Sequence, residues 1–174
     1  MQLVQLPVNI NFKQCKDMEK DHYIGVDISK RTIDIAIYVK SQAKKGTFPH
    51  ETFSNTEEGF KDMKKWLRKQ HVVLSKSLFC MEATGNYTYE LCLFLEQLGV
   101  AYSIQSPLHL KRSFGLTHGK NDKVDASRIA YYAYLHREDI KLSKLASDSV
   151  RKLKALIVER KSLVVEIARC KAQL

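Results

Sequence analysis

The first regular pattern of apolar positions is Tyr23-Ile-Gly-Val-Asp27-Ile-Ser-Lys, a short hydrophobic run that closes on an acid and predicts a strand. Across Thr32 to Lys40 the apolar residues alternate at Ile33, Ile35, Ile37 and Val39, which predicts a second strand beside it. Gly46 to Ser54 carries Phe48 and Phe53 but is interrupted by Pro49, so a third strand here belongs at an edge or a bulge. The period then changes. Asn55 with Glu58 three positions on has the spacing of a helix start, and Phe60, Met63 and Leu67 line one face of a helix to about Gln70, with Trp66 at its border. Ser77-Leu-Phe-Cys-Met81 is a continuous apolar run, as expected of a buried strand, and ends on Glu82. Leu91, Phe94, Leu95 and Leu98 form a helical stripe stopped by Gly99, after which Val100 to Gln105 reads as a strand closed by Pro107. Asn121-Asp122-Lys-Val-Asp125-Ala opens a helix to about Leu135, with Asp122 able to cap its first turn and Ile129, Ala130, Ala133 and Tyr134 on its apolar side. Finally Val150, Leu153, Ile157, Val164, Ile167 and Leu174 recur on a seven-residue alternation from Asp148 to Leu174, which predicts a long amphipathic helix. The predicted order is βββ-α-β-α-β followed by helices, an α/β chain with a mixed sheet.

Composition narrows the class. Hydrophobic residues at 44% and charged residues at 28% exclude a disordered or low-complexity chain, and 174 residues allow one main core. The expected plan is a leader over 1–21 with no assigned role, one domain over 22–146, and a long helix over 147–174 that begins a coiled coil or a linker to a further domain. No apolar run reaches the roughly 20 residues of a bilayer-spanning helix. The stretch Met1 to Gln14 lacks the basic start of a signal peptide, so no membrane partner is expected. The net charge of +10 points to a polyanionic partner. Cys15, Cys80, Cys92 and Cys170 show no CxxC pair and no paired Cys and His spacing, so reduced thiols in a cytoplasmic protein are expected rather than a zinc site.

Four acids stand out by position: Asp27 and Glu82 at strand ends, and Asp122 with Asp125 three apart on one helical face. Two Mg²⁺ or Mn²⁺ ions acting on a phosphodiester need several carboxylates converging from rigid elements, and this set could supply them. Taken singly each acid has a plainer reading, with Asp122 as a helix cap, Asp125 as a complement to the helix dipole, and Asp27 and Glu82 as strand-end polar residues. Spacing alone leaves both readings open.

The surrounding residues add a resemblance. Ile24-Gly-Val-Asp27-Ile-Ser-Lys, Met81-Glu82-Ala-Thr-Gly-Asn-Tyr87 and Gly119-Lys-Asn-Asp122-Lys-Val-Asp125-Ala-Ser-Arg-Ile-Ala130 closely resemble, in this order, the motifs of the DEDD transposases of bacterial insertion sequences, a group that includes the Piv-type DNA invertases. The resemblance implies a ribonuclease H-like, RuvC-type fold. It further implies that Asp27, Glu82, Asp122 and Asp125 hold a divalent metal, Mg²⁺ or Mn²⁺ and two ions, for cutting and joining DNA in transposition. Some members of the group choose targets with a structured guide RNA, which adds RNA to DNA as an implied partner. The family plan is longer than this chain and continues through a long helical region into a second domain with a serine implicated in strand exchange. An amino-terminal domain, or a natural truncation, is therefore expected here.

Lys111, Arg112, Lys120 and Lys123 flank the helical aspartates and could neutralise phosphates, though a solvated surface accounts for them nearly as well. Tyr131, Tyr132 and Tyr134 could stack on bases, but at helical spacing they are expected mainly in the core. His118 is read as a loop residue and Ser29 as a turn former. The leading expectation is a metal-dependent transposase or recombinase domain, bacterial and DNA-associated, that forms a homo-oligomer through its last helix. The alternative is a nucleic-acid-binding and dimerisation module without turnover. An actin-like or sugar-kinase ATPase fits least, because Ile28-Ser-Lys-Arg-Thr32 replaces the glycine-rich phosphate turn.

Overall fold

The computed structural model describes residues 20–39, 48–114 and 122–173, without the side chains of residues 114 and 122–124. The chain divides into two units, one ending at Lys144 and the other spanning Leu145–Leu174.

In the first unit, β1 (His22–Ile28), β2 (Thr32–Val39), β3 (His50–Ser54), β4 (Ser77–Glu82) and β5 (Ala101–Gln105) form one sheet in the order β3-β2-β1-β4-β5. The first three strands are antiparallel neighbours, whereas β4 runs parallel to β1 and β5 parallel to β4. That mixed order is the ribonuclease H-like, RuvC-type arrangement expected from the sequence. The central strands β1 and β4 are buried on both faces, which is why their sequences are near-continuous apolar runs instead of alternations. Edge strand β3 begins one residue after Pro49, whose carbonyl accepts a 3.0 Å hydrogen bond from the Ile37 amide. Proline is tolerated there because, just before the start of an edge strand, it costs the sheet only a single terminal ladder donor.

Helices α1 (Glu57–Lys69) and α2 (Tyr89–Gln97) cover one face, where Phe60 meets Phe94 at 5.5 Å between ring centroids and the Cys92 thiol lies 3.8 Å from the Met81 sulfur. Helices α3 (Pro107–Phe114) and α4 (Asp122–Leu135) cover the other, in a core that joins Tyr23, Leu78, Cys80, Leu110, Ile129 and Ala133. By sequence Pro107 reads only as a strand terminator. The structure shows it opening α3, since proline fits the first helical position, where no N–H partner is needed. The α1 cap is likewise Thr56, whose hydroxyl accepts from the Gly59 amide at 3.3 Å, and not Asn55. The free edge of β5 is closed by residues 141–143: the Ser143 amide donates to the Tyr102 carbonyl at 2.8 Å and the Ser103 hydroxyl to the Lys141 carbonyl at 2.7 Å. A strap of this kind removes the unpaired ladder that an open edge would present.

At the start of β1, His22 is partly buried and its Nδ1 has no hydrogen-bond partner. Desolvation lowers its pKa below the ordinary 6.5; the neighbouring Asp21 raises it, and Lys76 lowers it. A histidine depressed in the folded state binds fewer protons than in the unfolded chain. Its contribution to stability is intact above 6.5 and declines as pH falls through that value toward the folded pKa. Urea midpoints measured from pH 7.5 to 5 should fall on acidification, and His22→Phe should flatten that slope. An unchanged slope in the variant would place the acid sensitivity elsewhere.

The second unit contains α5 (Asp148–Lys171), which opens on Ser147, whose hydroxyl accepts from the Val150 amide. None of its described residues is buried, and Val150, Leu153, Ile157, Val164 and Ile167 are all exposed in this chain. No helix among the described residues is long and apolar enough to cross a membrane.

Candidate metal and nucleic-acid site

Two of the four acids are neighbours by strand pairing. Val26 on β1 lies opposite Met81 on β4 in a parallel register, so the next residues, Asp27 and Glu82, emerge side by side at the carboxyl ends of adjacent strands about 4.8 Å apart. Side chains alternate along a strand, so Asp27 shares a face with Tyr23 and Gly25, and Glu82 shares one with Leu78 and Cys80. Tyr23, Leu78 and Cys80 belong to the core under α4. Both carboxylates therefore lie on the α4 side, half-buried. Chain connections leave β1 toward β2 on one side and enter β4 and β5 on the other. The crevice at such a reversal is where open α/β sheets usually bind ligands.

Helix α4 is held against this spot by a glycine. A Cβ on Gly25 would lie 2.0 Å from the Ala126 carbonyl oxygen and 2.3 Å from the Ala130 nitrogen, so only glycine permits this approach. The Tyr23 and Tyr134 rings meet at 5.4 Å, which shows the helix running antiparallel to β1. Two residues along β1, from Gly25 to Asp27, cover about 6.6 Å, and one helical turn back from Ala126 covers about 6 Å. The first turn of α4, with Asp122 at its start, thus comes level with Asp27. Asp125 lies one turn before Ile129, on the side of α4 from which the Tyr132 hydroxyl reaches the Gln105 side chain on β5 at 3.3 Å. Its carboxylate is 3.3 Å from Arg128 and partly exposed.

The structure also brings in an acid that lies in none of the three sequence motifs. Asp34 on β2 lies directly opposite Asp27 in the β1–β2 ladder and on the same face. Its Oδ1 accepts a 2.6 Å hydrogen bond from the Thr52 hydroxyl, and His50 Nε2 stands 3.4 Å away at ion-pair distance without hydrogen-bonding geometry. The alternation of Ile33 and Ile35 already put Asp34 on the opposite face from them. Its pairing with Asp27 depends on the hairpin register, which Ser29 fixes by accepting from the Thr32 amide at 3.0 Å. Asn55 is a second unforeseen contributor. Its side-chain amide donates to the carbonyls of Ser29 at 3.0 Å and Tyr87 at 3.1 Å, clamping together the turns that follow Asp27 and Glu82.

An all-carboxylate donor set on rigid elements suits a hard cation such as Mg²⁺. Among the described residues no three His, Cys, Asp or Glu side chains converge closely enough to hold an ion. The Asp122 side chain, on which closure of the set depends, lies outside the described residues. Of the basic candidates, Lys111 and Arg112 are exposed in the last turn of α3, while Lys120, the side chain of Lys123 and His118 lie outside the described residues. The tyrosines of α4 serve mainly in packing: Tyr132 is buried, Tyr134 stacks on Tyr38 at 4.5 Å, and Tyr131 is 43% exposed.

Sheet order, paired strand-end acids and the helix pinned across them define an α/β domain with a mixed five-stranded sheet and an acidic crevice at its strand ends. The chain belongs to the DEDD transposase family of the IS110 type, whose model matches residues 24–174. Over 141 residues it is 32% identical to the pilin gene-inverting proteins of Moraxella bovis and Moraxella lacunata. That alignment takes in 79% of this chain and 41% of each relative, so the chain spans about two fifths of their length. Among solved structures it is similar to Thermus thermophilus RuvC in complex with a Holliday junction substrate, with a TM-score of 0.49 and 9% identity, covering 69% of this chain and 98% of that one. A second Thermus thermophilus RuvC structure gives a TM-score of 0.46 at 10% identity.

Proposed function

We propose that this chain is the amino-terminal catalytic domain of a transposase or recombinase that cleaves and joins DNA strands with the help of divalent metal. The observation that carries the reading is the emergence of Asp27 and Glu82 side by side beneath the first turn of α4. In this reading Asp27, Glu82, Asp122 and Asp125 hold Mg²⁺ or Mn²⁺. When bound, the metal supplies Lewis-acid polarisation of a phosphodiester oxygen and a lowered pKa for an attacking oxygen. The protein's own part is orientation: Gly25 fixes the height of α4, Asn55 ties the two flanking turns together, and Thr52 holds the Asp34 carboxylate beside Asp27. The names of the Moraxella relatives, pilin gene-inverting proteins, favour DNA as substrate, and the charge of +10 suits a polyanion. Lys111 and Arg112 would then meet backbone phosphates, and Lys120 and Lys123 join them as candidates.

A second reading, a binding and assembly module without turnover, is favoured by α5, whose apolar positions are uncovered in this chain. Residues 147–174 would in that case pair with a second copy and lead toward further chain. Incubation with branched and supercoiled DNA, with Mg²⁺ or with chelator, separates the two. Metal-dependent nicking supports the enzyme, whereas salt-sensitive binding with no nicking under any metal supports the module.

A further inference from the structure

Beside the acids lies a pocket of about 440 Å³, within the usual range for small-ligand sites, that neither the carboxylates nor the flanking lysines account for. It opens at the carboxyl end of β5, between the start of α3, the end of α4 and the strap over 141–143. One wall is a ring pair, Tyr132 against His136, with centroids 4.3 Å apart. Ile104, Ile140 and Leu142 add apolar surface. Polar groups sit at fixed positions around them. The Gln105 side chain is held from both ends, its amide donating to Ser103 Oγ at 2.6 Å and its oxygen accepting from Tyr132 at 3.3 Å. The Ser143 hydroxyl is fixed by the Ile104 amide at 2.9 Å. Exposed His109 and Lys141 stand at the rim.

We propose that this pocket takes a single unpaired nucleotide of the nucleic-acid substrate, the one next to the reacting phosphodiester; the proposal rests on the nucleic-acid reading above. Position sets which nucleotide it is. Gln105 pairs with Glu82 in the β4–β5 ladder, so the pocket lies one strand, about 4.8 Å, from a candidate metal ligand. Composition sets what part of it enters. A bare phosphate is disfavoured because Asp139 also lines the space. A flat base is accommodated, since an aromatic and aliphatic wall with a few oriented amide and hydroxyl groups is how extruded bases are held. The backbone phosphate then falls at the rim, near His109 and Lys141. The shared chemistry is an unpaired base, whether it comes from DNA or RNA.

The test uses the 174-residue chain and duplexes that are fully paired or carry one bulged 2-aminopurine, as DNA and as RNA, with a bulged abasic site as control. Base–aromatic stacking is worth about 1–3 kcal/mol, so the bulged base should bind about tenfold tighter than the paired duplex or the abasic bulge, with its fluorescence quenched. His136→Ala should erase that preference and leave paired-duplex affinity unchanged, while His136→Phe retains it. His109→Ala, on the exposed side of α3, should weaken bulged-duplex binding alone and serves if His136→Ala fails to fold. The better of the DNA and RNA arms identifies the source of the nucleotide. Equal affinity for bulged, abasic and paired duplexes, or a preference unchanged in both alanine variants, overturns the pocket proposal while leaving nucleic-acid binding in place. Loss of binding to every duplex overturns both.

Discussion

Replacing Asp27 by Asn is expected to lower Mn²⁺ affinity by about 100-fold or more while leaving the thermal unfolding midpoint unchanged or slightly raised. Loss of a supporting partner already costs 10–100-fold in typical metal sites, and a directly coordinating oxygen should cost at least as much. The opposite sign for stability has an electrostatic origin. Asp27 lies beside Glu82 on one strand and opposite Asp34 on the other, all on one face. Without metal, neutralising the middle member of such a row relieves repulsion. Glu82→Gln should behave in the same way, whereas Glu90→Gln, an exposed position in the first turn of α2, should change neither property. Calorimetric titration with Mn²⁺ alongside thermal melts reads both effects. Unaltered Mn²⁺ affinity in Asp27→Asn and Glu82→Gln would refute the metal reading, and a steep loss of stability would show that these carboxylates are structural.

Gly25→Ala should destabilise the domain by about 3 kcal/mol. Overpacking a core by one methyl group costs about 1–3 kcal/mol when side chains can move aside. Here the new atom meets helix backbone, the Ala126 carbonyl oxygen and the Ala130 nitrogen, so α4 as a whole must shift. The consequence reaches the site, because the same helix carries Asp122 and Asp125. Where the variant remains folded, its Mn²⁺ affinity should fall about tenfold although no carboxylate has been touched. Gly85→Ala is the matched control. Its φ of +64 disfavours a side chain by about 1–2 kcal/mol, but the added Cβ meets nothing within 4 Å, so metal affinity should be unaffected. Urea denaturation and the same calorimetry measure both. A Gly25→Ala protein as stable as the parent would mean that α4 does not pack as closely on β1 as the structure shows.

Local pattern carried much of this architecture. Alternation at Ile33, Ile35 and Ile37, the apolar runs ending at Asp27 and Glu82, and the stripe Phe60, Met63 and Leu67 each follow from side-chain period, which is a property of neighbouring residues. The misses have local causes as well. Pro107 is as compatible with the first turn of a helix as with the end of a strand, and Asn55 and Thr56 are both good capping residues. The family resemblance, and not periodicity, is what put Asp27, Glu82, Asp122 and Asp125 forward as one expected set. Periodicity fixes the face a residue takes but is silent on its partner across the sheet. That Asp27 stands next to Glu82, some fifty residues away in the chain, follows from the parallel β1–β4 pairing. The presence of Asp34 in the same row follows from the hairpin register, and the pocket beside Gln105 from a strap that folds back over β5. These long-range pairings are chosen by burial of the whole core at once, so only the tertiary structure could decide which polar groups meet.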